Sequence, residues 1–80
     1  MYYTYILRSI KYPKETYIGK TPNLKARLKK HNEGGSKHTA KYKPWRIIAY
    51  FAFEKEKISI GFEKYLKSSS GKAFLTKRLL

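Results

Sequence analysis

With 80 residues, the chain is expected to form a single domain spanning residues 1–80, because this length is too short for two independent cores. Its 19 Lys and Arg residues exceed its 5 acids to give a formal net charge of +14, while eight Tyr, four Phe and one Trp make it too rich in packing side chains for a disordered polycation. The absence of cysteine excludes disulfide scaffolds, cysteine-based zinc sites and thiol nucleophiles.

The first two predicted elements are strands that form an antiparallel hairpin. Tyr2–Ile10 is dense in Tyr, Ile and Leu and nearly alternates, which places Tyr5 on one face with its odd-numbered neighbours. Pro13 marks a turn, and Thr16–Lys20 resumes with β-type residues. Gly19 is unusual there, because glycine weakens a strand interior and usually marks the close approach of a backbone or a ligand.

The first helix is predicted to have Thr21 as its N-cap and Pro22 at its first helical position, where the missing N–H costs nothing. It runs to His31 and ends at Asn32–Gly35. The spacing i, i+3, i+4, i+7 defines its core-facing stripe. That stripe consists of Leu24, Arg27, Leu28 and His31.

Two polar side chains on this stripe have more than one interpretation. Arg27 either snorkels at the edge of the stripe or meets a carboxylate, a ring face or a phosphate. His31 lies in the last turn, where a cation is favourable near the negative end of the helix dipole, and the alternative is a functional role. The spacing alone leaves both alternatives open.

The second half of the chain predicts one strand and two helices. Ser36–Pro44 is predicted as a polar basic connection, and Trp45–Phe53 as a buried third strand. A second helix, with Gly61 as a weak point, is predicted from a core-facing pattern. That pattern consists of Ile58, Phe62, Tyr65 and Leu66. Ser68–Gly71 is predicted to separate this helix from a short closing helix over Lys72–Leu80.

The predicted element order is therefore β-β-α-β-α-α. It indicates an α/β fold of the α+β type, in which a small three-stranded sheet is flanked by helices.

The composition favours a nucleic-acid partner. The chain has no stretch long enough for a membrane span and its amino end lacks the layout of a secretion signal, so no membrane contact and a cytoplasmic location are expected. The aromatic residues are spread along the chain, whereas a lipid-surface binder would gather them on one amphipathic helix. The basic connection suits backbone phosphates, and the alternative is a solvated loop. The candidate contacts are Lys20, Lys37, His38, Lys41, Lys43 and Lys67.

Glu63 is the only acid after Lys57, and it flanks the apolar face of the second helix. One interpretation is an i, i+4 ion pair with Lys67. The other is a Mg²⁺ site, because this ion keeps its waters and takes one or two protein carboxylates together with phosphate oxygens.

Taken together, these residues resemble the GIY-YIG nuclease superfamily. Tyr17-Ile18-Gly19 reproduces the family's second triad, whereas Tyr3-Thr4-Tyr5 keeps only the closing tyrosine of the first. The stretch YIGKTPNLKARLKKHN joins the triad, the helix start, Arg27 and His31 at the family's spacing, and FEKYLKS resembles the segment with the metal-binding glutamate. The likeness is closest to small stand-alone bacterial members.

This resemblance implies a DNA endonuclease that uses one Mg²⁺ or Mn²⁺ ion held by Glu63. Tyr17, helped by Tyr5, would orient or deprotonate the water, Arg27 would bind the phosphate, and His31 could assist proton transfer. A phenol normally titrates near 10, so this role for Tyr17 requires nearby cations or metal-bound solvent to lower its pKa.

Recognition is expected through backbone phosphates and DNA shape, with an unidentified protein partner as a possible source of specificity. The alternatives are a catalytically weak nucleic-acid-binding module on the same scaffold and a small basic RNA-associated protein.

Overall fold

The computed structural model describes residues 1–80 and contains three strands and four helices. The predicted order is confirmed, with one additional short helix, α2, between the first long helix and the third strand. No helix combines the length and the apolar composition that crossing a membrane requires. The elements are β1 (Tyr2–Ser9), β2 (Thr16–Thr21), α1 (Leu24–Asn32), α2 (Lys37–Ala40), β3 (Trp45–Phe53), α3 (Glu56–Lys67) and α4 (Ser69–Arg78).

The three strands form one antiparallel sheet in the order β2-β1-β3. Tyr5 of the central strand lies opposite Gly19 on one side and Tyr50 on the other. The prediction that β3 is a buried strand was wrong, because Trp45 is its only buried residue and the strand lies at the edge of the sheet, paired with β1 alone. A register shift, with Ile48 as the extra residue, lies where the partners of Ile6 and Leu7 change from Ala49 to Ile47.

The alternation of β1 divides the core between the two faces of the sheet. Tyr5 and Leu7 point to one face and form a cluster with Trp45, against which Leu24 and Leu28 of α1 pack. Ile6 points to the other face and forms a second cluster with residues of the last two helices. Those helix residues are Leu66 of α3 and Leu75 of α4. The sheet is therefore covered on both sides.

The start of α1 differs from the prediction. Asn23, not Thr21, is the N-cap, and its side-chain oxygen accepts a hydrogen bond from the Ala26 N–H at 3.0 Å. The hydroxyl of Thr21 instead accepts from the Asn23 N–H at 3.1 Å and donates to the Asn23 carbonyl at 3.2 Å. Pro22 therefore precedes the helix, which begins at Leu24.

The segment predicted as a polar connection is partly helical and partly packed. It forms α2, in which Thr39 is buried. The Trp45 indole N–H donates to the Thr39 carbonyl at 2.9 Å, and the Asn32 side-chain amide donates to the Trp45 carbonyl at 3.1 Å. The Ser9 hydroxyl of β1 also donates to the Tyr42 carbonyl at 2.6 Å, so the segment is held against the sheet by contacts that its basic composition does not indicate.

The buried stripe of α3 is rotated relative to the predicted apolar face. Leu66 is buried as expected, but Ile58 and Tyr65 are 50% and 43% exposed. The residues turned inward are Ser59, Phe62, Glu63 and Leu66, which have the spacing i, i+3, i+4, i+7. The reason is that the Ser59 carbonyl accepts a hydrogen bond from the Thr4 hydroxyl at 2.8 Å, which brings the first half of α3 onto β1.

The serine-rich stretch predicted as a separator belongs to α4 itself. Ser68 is its N-cap and accepts a hydrogen bond from the Gly71 N–H, so the helix begins at Ser69 rather than Lys72. Gly71 is buried, and a Cβ there would overlap the backbone at Tyr65 and Leu66. Glycine therefore permits the close packing of α4 against the end of α3.

Candidate functional site

The site is built around Tyr5 at the centre of the sheet. Its ring lies over Gly19 on the neighbouring strand, where a Cβ would overlap the Tyr5 hydroxyl and come within 2.6 Å of its Cζ. The predicted close approach at Gly19 is therefore made by the phenol of Tyr5. Gly19 has a structural role at the site, because any larger side chain would displace this phenol.

A chain of hydrogen bonds extends inward from Tyr5. The Tyr5 hydroxyl lies 2.9 Å from Nε2 of His31, and Nδ1 of His31 lies 2.8 Å from the Thr39 hydroxyl. That hydroxyl donates to the Ser36 carbonyl at 3.4 Å. Because a hydroxyl that donates to a carbonyl can accept elsewhere, we assign the Nδ1 proton to His31, so that Nε2 accepts from Tyr5.

The electrostatic environment keeps His31 neutral. Burial lowers the pKa of its imidazole, and the positive charges of Arg27 and Lys30 lower it further. These effects disfavour the interpretation of His31 as a cation at the helix end, because burial and the charges of Arg27 and Lys30 oppose a positive imidazole.

Tyr17 completes an aromatic group with these residues. Its ring centroid lies 5.0 Å from that of His31 and 6.3 Å from that of Tyr5. Tyr5 is fully buried, whereas Tyr17 is only half-buried. Of the two phenols, Tyr17 is thus the one more open to solvent.

The pKa of the Tyr5 phenol is raised in the folded protein. Burial, followed by the Tyr17 phenol, is the main cause that raises the pKa of Tyr5 to about 12. The guanidinium of Arg27 acts in the opposite direction, and the carboxylate of Glu63 contributes to the rise. Tyr17 and Arg27 are the side chains beside Tyr5 among these, whereas the effect of Glu63 is the smallest. Near neutral pH, Tyr5 is a protonated hydrogen-bond donor.

Arg27 is half-buried and has no acidic partner. Its Nη1 donates to the Lys20 carbonyl at 3.4 Å, and the only side-chain ion pair in the molecule lies elsewhere. Neither a carboxylate nor a ring face neutralises its charge. The guanidinium lines a cavity of about 240 Å³ at the end of β2. The other lining residues are Tyr2, Lys20, Thr21, Pro22, Glu56 and Ser59.

Glu63 lies on the inward stripe of α3, rather than beside it as predicted. Its side chain is 17% exposed, and the expected i, i+4 pair with Lys67 is present at 3.9 Å. No group of three or more His, Cys, Asp or Glu residues is arranged to hold a metal ion. This donor set fits a hard cation only if water and an oxygen-rich ligand supply most of its coordination.

The six predicted phosphate contacts are all exposed. Lys37 and His38 lie on α2, and the Nζ of Lys41 lies 5.2 Å from the ring centroid of Tyr42. Lys20 lines the Arg27 cavity, whereas Lys67 is on α3 beside Glu63. The sixth residue, Lys43, follows α2 on the way to β3. Their contact with a polyanion stays a prediction.

Sequence reasoning missed Thr39 and Ser36, which orient His31. No spacing rule connects them with His31, because they reach it through the packing of α2 against α1. It also missed Glu56, which lines the same cavity as Arg27 from a different helix.

The fold and the site together define a small basic α+β domain. In it, two phenols, an imidazole and an unpaired guanidinium lie around one sheet. The GIY-YIG catalytic domain matches residues 1–78, so the chain belongs to this family and the resemblance in its motifs is confirmed.

Similar curated proteins carry one name. The structure-specific endonuclease subunit SLX1 of Debaryomyces hansenii is 38% identical over 73 residues, covering 82% of this chain and 21% of the relative. The protein of that name from Talaromyces marneffei is 44% identical over 52 residues, covering 59% and 13%. The SLX1 homolog of Giardia intestinalis is 35% identical over 60 residues, covering 71% and 17%.

The matched regions span about a fifth or less of these relatives. All three organisms are eukaryotes, so the expected likeness to bacterial members is not borne out.

Proposed function

We propose that this domain is a metal-dependent DNA endonuclease that hydrolyses phosphodiester bonds in structured or branched DNA. The observation that carries the proposal is the gathering of side chains around Tyr5: its hydroxyl lies 2.9 Å from Nε2 of His31, its ring centroid lies 6.3 Å from that of Tyr17, and the guanidinium of Arg27 lowers its pKa as a hydrogen-bond partner. Membership of the GIY-YIG family and the name of the relatives, structure-specific endonuclease subunit, support the same function. His31 belongs to the proposed site through its bond to Tyr5.

Arg27 binds the scissile phosphate in this proposal. Its guanidinium is half-buried, has no acidic partner and lines a cavity together with Lys20. A planar guanidinium can donate two parallel hydrogen bonds to phosphate oxygens, which lysine cannot reproduce. It would stabilise the negative charge that develops on the non-bridging oxygens.

Tyr5 and Tyr17 have different roles in the attack by the nucleophilic water. Its oxygen forms a bond to phosphorus as the bond to the leaving oxygen breaks, and its proton passes to a base. Tyr5, with a pKa of about 12, stays protonated and is held by neutral His31. Tyr17, the more accessible phenol, orients the water when protonated, and it accepts the water's proton only as the phenolate.

Glu63 would hold the metal ion, Mg²⁺ or Mn²⁺. A single carboxylate fits these hard ions when waters and phosphate oxygens provide the remaining ligands. The bound ion would polarise the phosphate and neutralise the departing oxygen. Lys67, 3.9 Å from Glu63, would exchange this ion pair for a contact with DNA.

Substrate choice and a partner protein are part of the same proposal. The relatives are named as subunits, which favours an assembly in which a second protein supplies specificity. The six exposed basic residues named above would follow the phosphate backbone, a contact that recognises shape rather than sequence.

Nicking of supercoiled plasmid by purified protein tests the proposal. We expect cutting to require Mg²⁺ or Mn²⁺ and to fall about 10²- to 10³-fold in Arg27→Ala, the loss produced by removing one donor to a developing oxyanion. Glu63→Gln should lose activity in the same assay. Arg78→Ala and Glu33→Gln, at exposed positions outside the site, are matched controls that should keep activity.

Cutting that persists unchanged in both site variants, or in chelator, would refute the proposed mechanism. A comparison of branched DNA with linear duplex of the same sequence then tests structure specificity.

One observation favours a second function, a nucleic-acid-binding module with little or no turnover. Glu63 is paired with Lys67, and no group of three or more His, Cys, Asp or Glu residues is placed to hold a metal ion. Such a module would bind DNA but would not nick plasmid at any concentration of metal.

A further inference from the structure

An aromatic cleft lies at the turn between β1 and β2, away from the Arg27 cavity. This hairpin cleft has a volume of about 370 Å³. It is bounded by Lys11, Tyr12, Pro13, Lys14, Glu15 and Tyr42. None of these residues has a part in the proposed hydrolysis, so the cleft requires a separate explanation.

Tyr12 presents a fixed aromatic ring at this cleft. Its side chain is 51% exposed, yet its ring packs edge-to-face against Tyr42, with centroids 5.6 Å apart and an interplanar angle of 78°. The hydroxyl of Ser9 accepts a hydrogen bond from the Tyr12 N–H at 3.0 Å and donates to the Tyr42 carbonyl at 2.6 Å. These contacts hold an exposed ring in place before any ligand binds.

The charges around the ring are almost entirely positive. Lys11 and Lys14 flank Tyr12, and the Nζ of Lys41 lies 5.2 Å from the Tyr42 ring centroid. Glu15 is the only acid, and it forms no ion pair with any of these lysines. A ring for stacking beside cations for phosphates is the combination that binds single-stranded nucleic acid.

The cleft lies on the same face of the sheet as Tyr5. Tyr42 packs against the cluster that contains Tyr5 and Leu7, and Ser9 follows them on that face of β1. The four steps along β1 from Tyr5 to Ser9 cover about 13 Å at roughly 3.3 Å per residue. The Arg27 cavity lies at the other end of β1 and β2, beside Tyr2 and Thr21, so a strand that leaves it passes over several nucleotides before it reaches the cleft.

We propose that the hairpin cleft binds an unpaired nucleotide of single-stranded DNA that flanks the cleavage point. Its base stacks on Tyr12, and Lys11 and Lys14 contact the adjoining phosphates. A base within a duplex is already stacked and paired, and its release costs a few kcal/mol, so only an unpaired flank occupies the cleft readily. This inference rests on the proposed function and gives it a physical basis for selecting structured DNA.

Binding to DNA that contains 2-aminopurine tests this site without cleavage. The probe base is placed one to six nucleotides into a single-stranded flank, in chelator, and a blunt duplex of the same sequence is the reference. We expect the wild-type protein to quench the fluorescence of a probe within the flank and to leave the probe in the duplex unchanged.

Variants of Tyr12 provide the decisive comparison. Tyr12→Ala should weaken binding to flanked DNA by about 5- to 150-fold, as alanine substitution of a stacking aromatic does, and change blunt-duplex affinity less than twofold. Tyr12→Phe keeps the stacking face and should bind as the wild type does. Tyr50→Ala removes an exposed tyrosine from the edge strand β3 and is the matched control.

Absence of quenching at every flank position, or equal loss of affinity in Tyr12→Ala and Tyr50→Ala, would overturn the inference. Failure of the proposed function is distinguishable, because it would remove metal-dependent nicking while the stacking signal remained.

Discussion

Tyr5 is the residue on which the geometry of the site depends. It is buried in the central strand, its ring occupies the space that glycine leaves at position 19, and its hydroxyl is held by His31. Each of these constraints comes from a different element. Small changes around Tyr5 should therefore be felt both in stability and in activity.

Gly19→Ala is expected to destabilise the fold by about 1–3 kcal/mol, the usual cost of overpacking a core, because its Cβ would lie 2.6 Å from Tyr5 Cζ. Urea denaturation measures this cost. In a Tyr5→Leu background the two closest contacts are absent and only Tyr17 Cε2, at 3.0 Å, remains near the added Cβ, so the same substitution should cost markedly less. An equal cost in both backgrounds would show that glycine serves another purpose.

His31 should make stability depend on pH. Burial lowers the pKa of His31 in the folded protein below the ordinary value of about 6.5, so the unfolded chain takes up a proton first as the pH falls. The contribution of neutral His31 is complete above about pH 6.5, and it is lost as the pH falls toward its lowered pKa.

The free energy of unfolding, measured between pH 7.5 and 5, should therefore decline below about pH 6.5, and His31→Gln should flatten this decline. His38→Gln, which alters an exposed imidazole, is the control and should keep the wild-type profile. A decline of equal steepness in His31→Gln would assign the pH dependence to other groups.

The helices α1 and α3, on opposite faces of the sheet, have the same kind of core-facing stripe. Each turns a stripe toward the core that mixes apolar and polar side chains. On α1 the polar members are Arg27 and His31, and on α3 they are Ser59 and Glu63. Ser59 is accounted for by its hydrogen bonds to Thr4 and Glu56. Arg27, His31 and Glu63, in contrast, occupy positions where apolar side chains would pack better and are the candidates for a functional constraint.

A substitution at Gly61 should stabilise α3 without altering its contacts with the rest of the molecule. It lies in the helix interior and is exposed, and a Cβ there would meet no atom within 4 Å. Gly61→Ala should raise the free energy of unfolding by about 0.5–1 kcal/mol, because alanine loses less backbone entropy in a helix. The urea midpoint should rise with an unchanged slope, whereas a lower midpoint would contradict the exposed geometry.

The charge of the whole molecule should govern how tightly it binds DNA. The formal net charge of +14 is spread over a domain whose only ion pair is that of Glu63 with Lys67. Nearly all the basic side chains are therefore free to displace counterions from DNA. Binding of this type is strongly dependent on salt.

We expect DNA affinity to fall about 10³- to 10⁵-fold between 50 and 200 mM salt if six to ten phosphates are contacted. Fluorescence anisotropy over a salt series measures the slope. Lys37→Ala, on the α2 side of the sheet, should reduce that slope by about 1. Lys77→Ala, on α4, should leave it unchanged, and identical effects of the two variants would indicate binding without a defined face.

Local regularities were sufficient to predict the order of the strands and long helices and to nominate the candidate site residues. Alternation identified β1, and helical spacing placed Arg27 and His31 on the inner stripe of α1, because both patterns depend only on near neighbours. The extent of β3 was also predicted correctly, over Trp45–Phe53. The identity of the family followed from motifs that lie within such local segments.

Contacts between distant segments were beyond the reach of these patterns. Gly19 makes room for Tyr5 only because the strand register places the two residues side by side. Thr39 orients His31 only because α2 packs against α1. The rotation of α3, which brings Glu63 inward, follows from the bond between Thr4 and the Ser59 carbonyl. The chemical identity of the site is thus encoded locally, whereas its protonation and orientation arise from burial and from partners that only folding brings together.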